Sequence, residues 1–136
     1  MEVQSVYPQV ASIIADVLVV DEAEVALNKR LIEDLGAESI DFLDLIFQLE
    51  KTFNVKIPRG QIEKDARGQL SDAEFEQNGV ITERGLAALK SYLSEIPAEN
   101  FKSGLKNNEI PTLFTVETMC KLVLRAKEAR GAEAAA

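Results

Sequence analysis

Hydrophobic positions recur at helical spacing through most of the chain. From Pro8 onward, Val10, Ile13, Ile14, Val17 and Leu18 predict a helix of about three turns that buries one face. Proline is tolerated in a first turn, so Pro8 marks its start. Residues 21–28 are acidic and weakly periodic, and they open a long loop in which Leu31, Ile32 and Leu35 are apolar anchors. The densest stretch follows: GAESIDFLDLIFQLEKTF, Gly36 to Phe53. At about 100° per residue, Phe42, Leu45, Ile46, Leu49 and Phe53 form one stripe. Burying that stripe contributes roughly 1.5–3 kcal/mol per residue before entropy is counted. Ile40, Leu43 and Phe47 fall nearly opposite, with Asp44 and Lys51 on one edge and Glu50 on the other. A helix with two apolar faces needs a second layer or a partner, because clustered exposed apolar groups inside a polar rim mark interaction sites.

Pro58 ends the turn after this helix, and beyond it the pattern thins. Residues 59–68 are polar and read as loop or a frayed turn. Ser71 with Glu74 fits a capping box and predicts a brief helix from Asp72 to about Gln77, which Asn78-Gly79 then breaks. Thr82 caps a further helix through Ser94 with Leu86, Leu89 and Leu93 on its apolar face. Gly85 weakens that helix by about 1 kcal/mol relative to alanine. One more turn is expected within Ala98 to Leu105. A last helix starts after Thr115, its N-cap, with Val116, Met119, Cys120 and Val123 facing inward. Lys121, Arg125, Lys127 and Arg130 make its far end basic, which suits a helix C-terminus. Residues 131–136 read as a frayed tail.

Composition narrows the chemistry. At 136 residues the chain supports one domain with a modest core, residues 1–130. The net charge of -8 is uneven: residues 1–60 carry 11 acidic and 5 basic side chains, the remainder 12 and 10. Such a field repels phosphate backbones and anionic membranes and attracts basic protein patches, so nucleic acid is excluded as a partner. The lone Cys120 forms no intrachain disulfide and reads as a small buried apolar residue. Without histidine, neither a zinc site nor a histidine-based triad can be assembled, and no metal is expected. No signal pattern or membrane-spanning apolar run is present, so a cytoplasmic protein without membrane insertion is expected; a monomer is expected as well.

Ser39 stands where the turn gives way to the central helix. Taken alone it reads as an N-cap. The surrounding string DLGAESIDFLDLIFQLEKTFNVKIP, Asp34 to Pro58, resembles the acyl carrier protein family around its phosphopantetheine attachment site. Glu38 stands where that family usually has Asp, and Ile40 where it usually has Leu. Phe114-Thr115-Val116-Glu117 is similar to the opening of the family's final helix. The resemblance spans Val10 to Pro58 and Leu113 to about Ala126; Arg59 to Thr112 lies outside the usual pattern and is similar to the enlarged region of some specialised bacterial carriers.

The resemblance implies an all-α fold, the four-helix bundle of the acyl carriers with an additional helical insert at about residues 59–112. It implies that a phosphopantetheinyl transferase attaches 4′-phosphopantetheine from coenzyme A to Ser39, whose arm then holds acyl groups as thioesters. The chain would then be no enzyme but a carrier in a specialised lipid or polyketide-like pathway. Ile40, Leu43 and Phe47 would form the docking centre, with Glu38, Asp41, Asp44 and Glu50 as an acidic rim for acyl ligase, synthase or acyltransferase enzymes with basic docking patches. Lys51 departs from the family's acidic pattern, which points to partners other than those of a housekeeping carrier. Phe42, Ile46 and Leu49 would line an acyl pocket, or simply close-pack. The insert would widen that pocket, add core or present a partner surface. The competing reading is an unmodified helical protein-interaction module of carrier-like shape.

Overall fold

The computed structural model describes residues 3–57 and 61–135, without the side chains of Ser39 and residues 130–135. Pro58, read above as closing a turn, and the Arg130 side chain therefore lie outside the described residues. Helices dominate, as the pattern predicts, and the chain divides into two compact units, Met1–Pro58 with Phe114–Ala136, and Arg59–Leu113.

The first unit holds α1 (Val3–Leu18), α2 (Ser39–Phe53) and α6 (Val116–Ala135). α1 starts five residues before Pro8, not at it. The backbone carbonyl that a proline ring disturbs lies four residues back, here Gln4 in the helix's first turn, where the disturbance is mild. Two contacts hold the turn before the proline: Val6 is fully buried, and the Tyr7 hydroxyl donates to the Val25 carbonyl at 2.6 Å. Val6, Val10, Ala11 and Ile14 are the buried stripe, against α6 and α2.

The loop after α1 is tied to the start of α6. Arg30 and Thr115 form an isolated antiparallel bridge, and the Leu31 N–H donates to the Phe114 carbonyl at 3.1 Å. The first amides of α6, which have no partner within the helix, donate into the same loop: Val116 N–H to Lys29 and Glu117 N–H to Leu27, each at 3.0 Å. Thr115 caps α6 as its sequence predicts. Its Oγ1 accepts from the Thr118 N–H at 3.2 Å, and Thr118 Oγ1 accepts from the Thr115 N–H at 3.1 Å. Val116, Met119, Cys120 and Val123 are buried, and the backbone of α6 stays helical through Ala135, across the residues read as a tail.

The second unit holds α3 (Gln61–Arg67), α4 (Asp72–Phe75), the strands β1 (Glu76–Gln77) and β2 (Val80–Ile81), and α5 (Glu83–Tyr92). α3 lies where loop or a frayed turn was expected; its apolar signal is only Ile62 and Ala66, four residues apart and both buried. The Ser71–Glu74 capping box forms, with Ser71 Oγ accepting from the Glu74 N–H at 3.2 Å and Glu74 Oε1 from the Ser71 N–H at 2.9 Å. α4 stops two residues short of the predicted end because Glu76 and Gln77 pair with Ile81 and Val80. Asn78 and Gly79 both have positive φ, 53° and 81°, the pairing that turns a two-residue hairpin. Thr82 Oγ1 caps α5 by accepting from the Gly85 N–H at 3.0 Å, and Leu86, Leu89 and Leu93 are buried. Gly85 is a close approach: a Cβ there would lie 2.3 Å from the Phe75 carbonyl oxygen.

Candidate functional site

The approach to α2 is built by the loop. Gly36 takes φ +76°, which favours glycine, and its N–H donates to Ile32 at 3.1 Å. The buried Ala37 then donates to the Leu31 carbonyl at 2.8 Å, which pins the chain one turn before the helix. Glu38 is extended (φ -107°, ψ 166°) and occupies the N-cap position, so Ser39 is the first helical residue and not the cap. An acid inside the helix explains the shift: Asp41 Oδ2 accepts from the Glu38 N–H at 2.8 Å, while the Asp41 N–H donates to the Glu38 carbonyl at 2.9 Å. The signal was present as Glu38-x-x-Asp41, an acid at the third helical position. The side chain of Ser39 lies outside the described residues.

From Ser39 the helix carries the two faces that its periodicity predicts. Leu45 and Leu49 are fully buried, whereas Phe42, Ile46 and Phe53 are half-buried. On the other side Ile40, Leu43 and Phe47 are 69%, 55% and 57% exposed, large values for apolar side chains on a packed helix. Glu38 and Asp44 are exposed beside them, and Asp41 is half-buried. Glu50 is placed differently: Oε2 accepts from the Ile57 N–H at 2.7 Å, so its carboxylate is turned toward the chain leaving α2. No sequence signal marked that pairing.

Of the residues read as lining an acyl pocket or close-packing, Phe42 meets Phe114 edge to face, ring centroids 6.2 Å apart at 72°, and Leu49 has no exposed surface. Two surface hollows of about 480 and 360 Å³ lie along the end of α1 and the following loop, and Phe42, Ile46 and Leu49 line neither. Among the described residues, Lys51 Nζ lies 5.9 Å from the Phe47 ring centroid and Lys127 Nζ 5.9 Å from that of Phe53. Among the described residues, no helix is long and apolar enough to cross a membrane.

This arrangement suits covalent attachment and docking. A serine opens a helix at the end whose dipole favours negative charge, and an exposed apolar ridge leads away from it.

The family described as phosphopantetheine attachment site matches residues 8–67. The match runs through α3, which the sequence reading left outside the resemblance. The chain is 36% identical over 76 residues to the acyl carrier protein AcpXL of Rhizobium meliloti, covering 55% of this chain and 80% of that protein. It is 39% identical over 72 residues to AcpXL of Brucella melitensis, covering 52% and 77%. Against the acyl carrier protein of Thermotoga maritima the identity is 41% over 61 residues, covering 45% and 75%.

Proposed function

Because this chain belongs to the acyl carrier protein family and carries phosphopantetheine, we propose that Ser39 is the attachment residue and that Ile40, Leu43 and Phe47 dock its partner enzymes. Carriers of this family perform no catalysis themselves; a phosphopantetheinyl transferase and acyl-handling enzymes act on them. The observation that carries the proposal is the position of Ser39: the first residue of α2, with Glu38 and Ile40 exposed on either side. A phosphodiester fits this place, since the helix start is an anion-favouring end. Transfer to Ser39 breaks the pyrophosphate bond of coenzyme A, releases adenosine 3′,5′-bisphosphate and removes the serine proton. Once bound, the arm supplies a thiol that holds an acyl group as a thioester.

The chain's own residues then orient this site. The Gly36 turn and the Ala37 hydrogen bond hold the helix start against the loop. The exposed apolar ridge and the carboxylates of Glu38 and Asp44 meet enzymes with an apolar pocket and basic surroundings. The carrier is cytoplasmic, works as a monomer and serves a specialised lipid or polyketide-like pathway. That last point is supported by the compact Arg59–Leu113 unit, most of which lies beyond the family match.

The test is an intact-mass spectrum after incubation with coenzyme A, Mg²⁺ and a broad-specificity phosphopantetheinyl transferase. Gain of one phosphopantetheinyl group by the parent and none by Ser39→Ala is the expected result. A folded parent that gains nothing with several transferases would leave the unmodified interaction module as the better reading.

A further inference from the structure

The docking face of α2 changes sign along its length. Ile40, Asp44, Phe47 and Lys51 follow one another at steps of four, three and four residues, so they form one ridge on the helix surface. At the N-terminal end the exposed charges are the carboxylates of Glu38 and Asp44. Past Phe47 it is the ammonium group of the exposed Lys51. The acid at this end does not offset it on the ridge, because the half-buried Glu50 is bonded to the Ile57 amide. Lys51 does not sit at the periphery either. Its Nζ is 5.9 Å from the Phe47 ring centroid, so the cation rests on the apolar ridge itself.

Asp44 and Lys51 are about 10 Å apart along the helix axis, roughly a Debye length at physiological salt. A docking protein therefore meets two separate charges with an aromatic ring between them.

We propose that this face selects a partner protein whose apolar pocket is flanked by a basic side chain opposite Asp44 and by a carboxylate opposite Lys51. Lys51 disfavours enzymes whose carrier-docking surface is basic throughout, and specificity comes as much from that repulsion as from the attraction. The inference rests on the carrier reading above and adds to it the charge pattern of the partner.

The probe is a phosphopantetheinyl transferase with a uniformly basic docking surface, assayed by intact mass at low salt on the full chain and its Lys51→Met and Lys51→Glu variants. KM falls about two- to fivefold from parent to Lys51→Glu, as expected for one exposed charge pair. Lys51→Met lies between, kcat is unchanged, and the differences shrink at about 0.5 M salt. A second series reverses the transferase's docking cations to glutamate one at a time. At one position the reversal lowers KM for the parent and raises it for Lys51→Glu, which locates the seat of the complementary carboxylate. Equal KM values across the three carriers, or no position with that crossover, overturn the inference. If the parent is modified without regard to residue 51, this inference fails and the Ser39 reading stands; if the parent is not modified at all, both fail.

Discussion

The Glu50 carboxylate accepts a hydrogen bond from the Ile57 backbone N–H at 2.7 Å, while the Glu50 carbonyl accepts from the amides of Asn54 and Val55. One residue thus closes the exit of α2 through both its backbone and its side chain. Glu50→Ala leaves the Ile57 amide without its acceptor in a part-buried setting and lowers stability by about 1–2 kcal/mol. Glu50→Gln keeps an acceptor oxygen and loses less than half as much. Urea unfolding of the three proteins measures the difference.

Val19 is a β-branched residue at φ 55°, 88% exposed, at the end of α1, where the Val20 N–H closes the helix onto the Ala15 carbonyl at 3.1 Å. Glycine is the residue suited to that left-handed position, and little buried surface is lost by removing the valine. Val19→Gly raises stability by about 0.5–1 kcal/mol, the relief of strain exceeding the extra freedom of the unfolded chain. A higher urea midpoint at unchanged slope is the expected result; a lower one would place Val19 in a contact its exposure does not suggest.

Gly85 separates two explanations of a helical glycine. Propensity alone makes Gly85→Ala stabilising by about 1 kcal/mol. The packing makes it destabilising by about 2–3 kcal/mol, because the new Cβ would stand 2.3 Å from the Phe75 oxygen and 2.8 Å from Ile81 Cγ2. The sign of the change in thermal unfolding decides between them.

Burial pushes the Cys120 thiol up to about 12, with the charge of Glu117 adding to the shift. The folded value lies above the unfolded one, so this group's contribution to stability is complete below about 9 and is lost as the pH rises from about 9 toward about 12. At pH 8 the thiol of the folded protein reacts with Ellman's reagent far more slowly than in denaturant. Equal rates in both states would contradict the buried placement of Cys120.

Local rules account for what could be read without a structure. The two faces of α2 follow from a period of 3.6. The caps at Ser71, Thr82 and Thr115 each depend on a side chain and an amide three residues apart. The misplaced elements needed distant information. α1 extends before Pro8 because Val6 and Tyr7 have partners elsewhere, and α3 forms on an apolar signal of two residues, Ile62 and Ala66. Asn78-Gly79 marked a break, but only the pairing of Glu76 with Ile81 made it a hairpin.

By itself, the sequence determined the carrier family, the serine that starts the central helix and the apolar ridge beside it, all of which depend on residue types within a few positions of one another. Only the tertiary structure decided which acids remain on that ridge and why Gly85 must be glycine. Glu50 is withdrawn by an amide seven residues away, and Gly85 is required by a carbonyl ten residues earlier. Hydrogen bonding and steric exclusion act through space, and nothing in the local order of residues specifies which groups the fold will bring within reach.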